Sequence, residues 1–325
     1  MGKGFSFFGL LNATMLVVLR IKILFMRELI SKEECFWHLC TPGELSGVLF
    51  RKKADYVFGM NMIGLLAAIF WDRLKIYTFQ IMSNHFHFII CGEKDEVLLF
   101  YSELYRRLKK FLVMEGRFSD IKGFTYKLIK ITDLVYLRNV IAYVNRNGYL
   151  VDMNYTPFSY PWGANRFFFS MLHEYECKLK LSLHKIPINE KRRMFHSHFN
   201  KFPQCFYLID QFVSPLSYIP ISDVEGLFKS AHHYYSLVSR RVESFSDIAK
   251  EQADKIVYTD EELSAVMYSF SMDKFNQKPL QLDKEGKLVV AKVLHFNYNA
   301  NNQQIRRLLR LDADILNSLF PPSRR

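Results

Sequence analysis

The stretch "LKIYTFQIMSNHFHFIICG", residues 74–92, constrains the fold more than any other part of the chain. Two apolar, β-branched and aromatic runs flank a short polar break at "MSN", which reads as two consecutive strands joined by a tight turn. A hairpin whose strands are almost wholly apolar must be covered on both faces, so helices have to pack on it. The pattern nearby supplies them. "KKADYVFGMNMIGLLAAIFWDR", residues 52–73, has helical spacing. From Glu96 to Glu115, Val97, Leu98, Tyr101, Leu104, Tyr105, Leu108, Phe111 and Leu112 recur every three or four residues. "ECFWHLC" (34–40) and "GFTYKLIKI" (123–131) read as further strands. Thr132 or Asp133 can cap a helix running to a stop at Gly148. The order β-α-β-β-α-β-α predicts an α+β domain: an antiparallel, ferredoxin-like sheet with packed helices, followed by a mainly helical C-terminal extension.

Four segments are expected: an apolar stretch over 1–30, a catalytic domain over 31–165, a mainly helical extension over 166–280 and a helix-turn-helix-like tail over 281–325. The first, "FSFFGLLNATMLVVLRIKILFM", is interrupted by Asn12, Arg20 and Lys22. That weakens a membrane-helix reading, and translation from Met26 is the alternative. Lys and Arg exceed Asp and Glu by 44 − 32 = 12, a field that draws polyanions, nucleic acid first among them. The five cysteines, Cys35, Cys40, Cys91, Cys177 and Cys205, include no Cys-x-x-Cys pair. Neither a zinc knuckle nor a disulfide scaffold is indicated, and reduced thiols in a cytoplasmic protein are the expectation.

His85 and His87 are two apart on a predicted strand, so both imidazoles face one side with backbones roughly 6–7 Å apart. They can converge on a divalent ion, or one can be a buried core histidine and the other solvent-facing. In "NVIAYVNRNGYL", Tyr143 and Asn147 are four apart on a helix and share a face. Asn147 offers an oxygen donor suited to Mg²⁺ or Mn²⁺. Tyr143 is either core or a nucleophile toward a phosphodiester that the metal polarises. No carboxylate placed to activate water is evident beside the histidines, which disfavours a hydrolytic metalloenzyme.

Taken together, three ordered blocks resemble a known family. "QIMSNHFHFII" is similar to the Met-Pro-Asn-His-hydrophobic-His signature of the HUH single-strand nucleases, in the IS200-like single-tyrosine transposase class. "FWHLCTPGELSGVLF" (36–50) resembles that family's first strand and loop. "AYVNRNG" resembles the nucleophile helix of the branch related to repeat-associated tyrosine transposases. The resemblance spans about residues 34–165. Ser83 stands where the family has Pro, and Gly148 where Pro is common.

The resemblance implies His85, His87 and Asn147 as ligands of Mg²⁺ or Mn²⁺ and Tyr143 as the nucleophile. It implies cleavage of hairpin-bearing single-stranded DNA through a 5′-phosphotyrosyl link, with strand transfer and no nucleotide cofactor. The protein would be a transposase or a domesticated one. The alternative is a non-cleaving DNA-binding regulator that keeps the fold. Relatives include dimers and monomers, so a homodimer is one of two expectations.

Further DNA contacts are expected from the basic face of the 96–115 helix (Arg106, Arg107, Lys109, Lys110), whose other reading is a solvated surface. The aromatic loop with Tyr155, Phe158, Tyr160 and Trp162 either stacks on unpaired bases or caps the core. In the tail, Lys287–Phe296, a helix capped at Asn301 or Asn302 and another opening at Asp312 resemble a helix-turn-helix. Its duplex-facing helix is poor in donors, whereas Arg306, Arg307 and Arg310 lie on the helix before it.

Overall fold

The computed structural model describes residues 36–43, 45–151, 155–156, 158–171, 181–209, 211–239, 248, 258, 260–298 and 300–320. The expectations for residues 1–30, Cys35 and Cys177 lie outside these. Two compact units divide the chain, Met1–Ser239 and Arg240–Arg325.

The first unit is a mixed α+β domain. Its elements run β1 (Phe36–Cys40), α1 (Lys53–Ile69), β2 (Leu74–Ile81), β3 (Phe86–Gly92), α2 (Lys94–Met114), β4 (Lys127–Ile131) and α3 (Leu134–Val151). The sheet order is β2-β3-β1-β4, and every neighbouring pair is antiparallel. Phe86 and Phe88 on β3 meet Phe50 and Phe100 on one face. On the other, Thr78, Gln80 and His87 turn toward α3. Covering on both sides explains the unbroken apolar character of β3.

Beyond its polar first turn, and apart from Asn61, helix α1 is apolar on every side, as a helix buried on two sides must be. Its second contact is with the extension. Asn61 donates to the Gln211 carbonyl (2.9 Å) and accepts from the Val213 amide (3.1 Å). At Gly64 a Cβ would come within 2.7 Å of Val213, so only glycine admits this approach.

Some boundaries differ from expectation. Strand β4 begins at Lys127 and not at 123, because Gly123 takes a positive φ of 81° with the Leu45 carbonyl packed against it. Helix α3 does not stop at Gly148 but continues to Val151. There glycine serves packing: the Gln80 amide and the Tyr160 ring fill the space a Cβ would take. The region after residue 166 is less helical than expected. Beside α4 (Ile188–Phe195), α5 (Ile221–Gly226) and α6 (Ala231–Val238), a small sheet forms from β5 (Leu181–Ser182), β6 (Tyr207–Ile209) and β7 (Phe212–Val213).

The second unit is mainly helical, with α7 (Asp260–Phe275), α8 (Lys284–Tyr298), α9 (Asn302–Leu309) and α10 (Ala313–Leu319). Asn301 caps α9 in a full capping box with Gln304, and Asp312 caps α10. Leu263 and Met267 of α7 share the core of the later helices with Leu294, Ile305 and Leu316. The tail therefore packs as part of a four-helix cluster and not as three helices alone. No helix among the described residues is long and apolar enough to cross a membrane.

Candidate metal and nucleophile site

The turn between β2 and β3 is held from outside. The Ser83 carbonyl accepts from both Leu49 and Phe50 amides (2.8 and 2.9 Å), and Ser46 Oγ donates to the Asn84 carbonyl (2.6 Å). The loop carrying those groups is itself anchored. Arg117 donates to buried Asp55 (2.7 Å) and to the Val48 and Leu49 carbonyls (3.0 and 2.5 Å). These bonds supply the rigidity that a proline at position 83 would otherwise give.

Asn84 then sets His85. Its Nδ2 donates to the Gly43 carbonyl (2.8 Å), which leaves Oδ1 facing His85 Nδ1 at 2.7 Å. An amide oxygen can only accept, so His85 carries its proton on Nδ1 and turns a lone pair outward on Nε2. Gly43 is required here, since a Cβ would lie 2.7 Å from Asn84 and 2.8 Å from His85.

Nε2 of His85 and Nε2 of His87 lie 3.1 Å apart, and the Asn147 amide lies 3.4 Å from His87 Nε2. Two ligands about 2.1 Å from one ion sit roughly 3.0 Å apart at a right angle and roughly 3.4 Å apart at the tetrahedral angle. Both spacings fit a shared cation. Rotating the Asn147 amide by half a turn exchanges its nitrogen for its oxygen at the same point. Among the described residues no three His, Cys, Asp or Glu side chains form a metal-holding group, so a third donor beside His85 and His87 would have to come from another residue type, and Asn147 is the amide at hand.

Tyr143 is 5% exposed. Its ring lies edge-on to His87 (centroids 5.8 Å) and to His38 (6.3 Å). The helix is held in this register by a buried network two residues along. Thr78 Oγ1 donates to Asn145 Oδ1 (2.6 Å), Asn145 Nδ2 donates to the Tyr234 hydroxyl (2.9 Å), and that hydroxyl donates in turn to Asn165. Burial pushes the Tyr234 hydroxyl well above the usual tyrosine range, so it stays a neutral donor.

Sequence reasoning grouped His85, His87, Asn147 and Tyr143, and these four side chains are neighbours in the fold. It missed His38, whose Nε2 is 3.2 Å from His87 Nδ1. Its signal was a polar residue inside the apolar run "FWHLC" that reads as a buried strand.

The expected basic contacts are partly engaged. Arg106 forms a two-pronged pair with Glu103 (3.1 and 2.7 Å), which holds that carboxyl below its ordinary range. Arg107 reaches the same carboxylate at 3.4 Å and is only partly exposed. Lys109 lies over the Tyr105 and Phe118 rings, and Lys110 is exposed beside His196. In the second unit Arg307 forks onto Asp260, while Arg306 and Arg310 are exposed. Of the aromatic loop, Tyr160 and Trp162 are buried, with the Tyr160 hydroxyl on the Ile81 carbonyl (2.8 Å). Tyr155 and Phe158 are half-buried.

Compared with protein-family models, with curated proteins and with solved structures, the chain finds no match.

Proposed function

We infer that the protein is a metal-dependent, tyrosine-nucleophile enzyme of single-stranded DNA, of the HUH transposase type. The observation that carries this reading is the convergence of the His85 and His87 Nε2 atoms and the Asn147 amide beside the Tyr143 ring. The strand order, with all neighbours antiparallel, supports the ferredoxin-like topology expected of such a domain. The net charge of +12 supports a polyanionic substrate.

In this reading His85, His87 and Asn147 hold Mg²⁺ or Mn²⁺, which when bound polarises a phosphoryl oxygen and stabilises developing charge. Tyr143 Oη, losing its proton, attacks phosphorus. The P–O3′ bond breaks, the freed 3′-oxygen takes a proton, and a 5′-phosphotyrosyl link remains. A second strand's 3′-hydroxyl reverses the step and rejoins DNA without nucleotide hydrolysis. Burial of Tyr143 means that its side chain or helix must swing outward to present the hydroxyl to a strand.

The same burial favours a second reading, a DNA-binding regulator in which Tyr143 is core. The two separate on one assay. Hairpin-bearing single strands are incubated with the protein and Mn²⁺ and resolved under denaturing conditions. A protein–DNA adduct present in the parent and lost in Tyr143→Phe is expected. An adduct that persists in Tyr143→Phe removes this nucleophile, and none on the DNA flanking the gene favours the regulator.

A further inference from the structure

At the end of the sheet that carries the histidines, a cleft of about 390 Å³ opens between the start of α1 and Tyr155, Pro161, Trp162 and Arg166. Arg51, Lys52, Lys53 and Arg166 line it, and among the described residues no carboxylate does. Its aromatic side is built from Trp162 stacked on Tyr56 (5.0 Å, 21° between planes) and from the half-exposed Tyr155. The cleft is wired to the histidine turn. Phe50, which precedes Arg51, donates to Ser83, two residues before His85. Trp162 accepts from the Ile81 amide (2.9 Å), and Gly163 bridges to Gln80, whose strand partner is His87.

We propose that this cleft binds one nucleotide of a single-stranded DNA, with its phosphate on Lys53 and Arg51 and its base against Tyr155. The proposal rests on the single-strand reading above for the identity of the strand. Four clustered cations select an anion, while the aromatic wall selects a ligand that also has a flat apolar face; an unpaired nucleotide has both. A duplex keeps its bases stacked inward and cannot offer one to Tyr155. Arg51 and Lys52 hold Asp120 and Glu115 at 2.6 and 3.1 Å, but these pairs are exposed at their basic ends. Such pairs are weak and exchange readily for a phosphate. Lys53 is exposed. The site volume lies within the range of small-ligand pockets.

The test measures anisotropy of a short fluorescein-labelled oligodeoxythymidylate with the full chain in EDTA, which keeps divalent metal out of the reading. Tyr155→Ala should weaken binding about tenfold, and Tyr155→Phe should restore it, because stacking needs the ring and not the hydroxyl. Lys53→Glu should weaken binding and lower the slope of log K against log salt by about 0.7 per lost phosphate contact. Lys75→Glu, the same charge change on an exposed residue at the start of β2, should leave binding little changed. Equal loss in Lys53→Glu and Lys75→Glu, parent-like binding by Tyr155→Ala, or no binding by the parent overturns the proposal. The adduct assay separates it from the reading it rests on. An adduct that forms with no cleft-dependent binding removes the cleft alone, and cleft-dependent binding with no adduct removes strand transfer alone.

Discussion

His38 Nε2 lies 3.2 Å from Nδ1 of His87, while Nε2 of that same ring faces His85 at 3.1 Å. A neutral imidazole has one proton for two nitrogens. Because His85 points a lone pair at His87, the His87 proton belongs on Nε2 as long as nothing else lies between them. With a cation there, that proton must move to Nδ1, and His38 Nε2 is the acceptor that receives its hydrogen bond. With an ion bound, His38 would orient His87 without touching the ion, as partners of metal-bound histidines do. Replacing it with Phe should lower Mn²⁺ affinity by about 10–100-fold, measured by calorimetry, with Gln restoring part of it. Unchanged affinity in His38→Phe would show that His87 needs no such acceptor.

Gly148 sits directly after the third candidate ligand, and Gln80 and Tyr160 occupy the place of its missing Cβ. Gly148→Ala should gain helix propensity yet destabilise the fold by about 1–3 kcal/mol, because overpacking outweighs the propensity term. Urea denaturation gives the number. A more stable Gly148→Ala would mean that Gln80 relaxes freely.

His196 packs against the stacked rings of Phe58 and Phe111. Burial, reinforced by Lys110, pushes its pKa below the ordinary 6.5. The unfolded chain therefore takes up a proton before the folded one does. This contribution to stability is present above pH 6.5 and is lost as pH falls toward the lower folded value. Denaturant midpoints at pH 7.5 and 5.5 should fall less on acidification in His196→Gln than in the parent. An identical fall in both would remove His196 as the cause.

Within the second unit, Arg306 and Arg310 are exposed whereas Arg307 is forked onto Asp260. If this unit meets duplex DNA, Arg306→Ala and Arg310→Ala should each reduce the salt slope of binding by about 0.9, and Arg307→Ala by less. Salt titrations of a labelled duplex check the ranking. Three equal effects would mean that the Asp260 pair opens on binding.

Asn301→Ala removes the side-chain half of the α9 capping box, the acceptor of the Gln304 amide, and leaves the backbone N–H that donates to the Gln304 side chain. A loss of about 1 kcal/mol is expected in urea denaturation of the full chain. The loss should appear in the transition of the second unit, whose core holds Ile305 and Leu309.

The order of elements was legible because it is written in local periodicity. The run 74–81 became β2 at both expected ends, and Asn301 and Asp312 cap the helices expected of them. Boundaries failed where a distant residue decided them: Leu45 against Gly123, Gln80 and Tyr160 against Gly148. The small sheet β5-β6-β7 was illegible for a related reason. Strands of two or three residues are too short to show alternation and exist only through pairing.

For the site, spacing alone determined that His85 and His87 share a strand face and that Tyr143 and Asn147 share a helix face, since those periods belong to the backbone. Which helix crosses which strands is not a local property. It follows from burial on both faces of the sheet and from Asn145 reaching Thr78, Tyr234 and the 165 region. Tertiary structure alone brought the two faces together, set the proton on His85 through Asn84 and Gly43, and put His38 behind His87. Hydrogen bonds between residues about 40 to 60 positions apart carry no periodic trace in the chain, which is why they had to be seen folded.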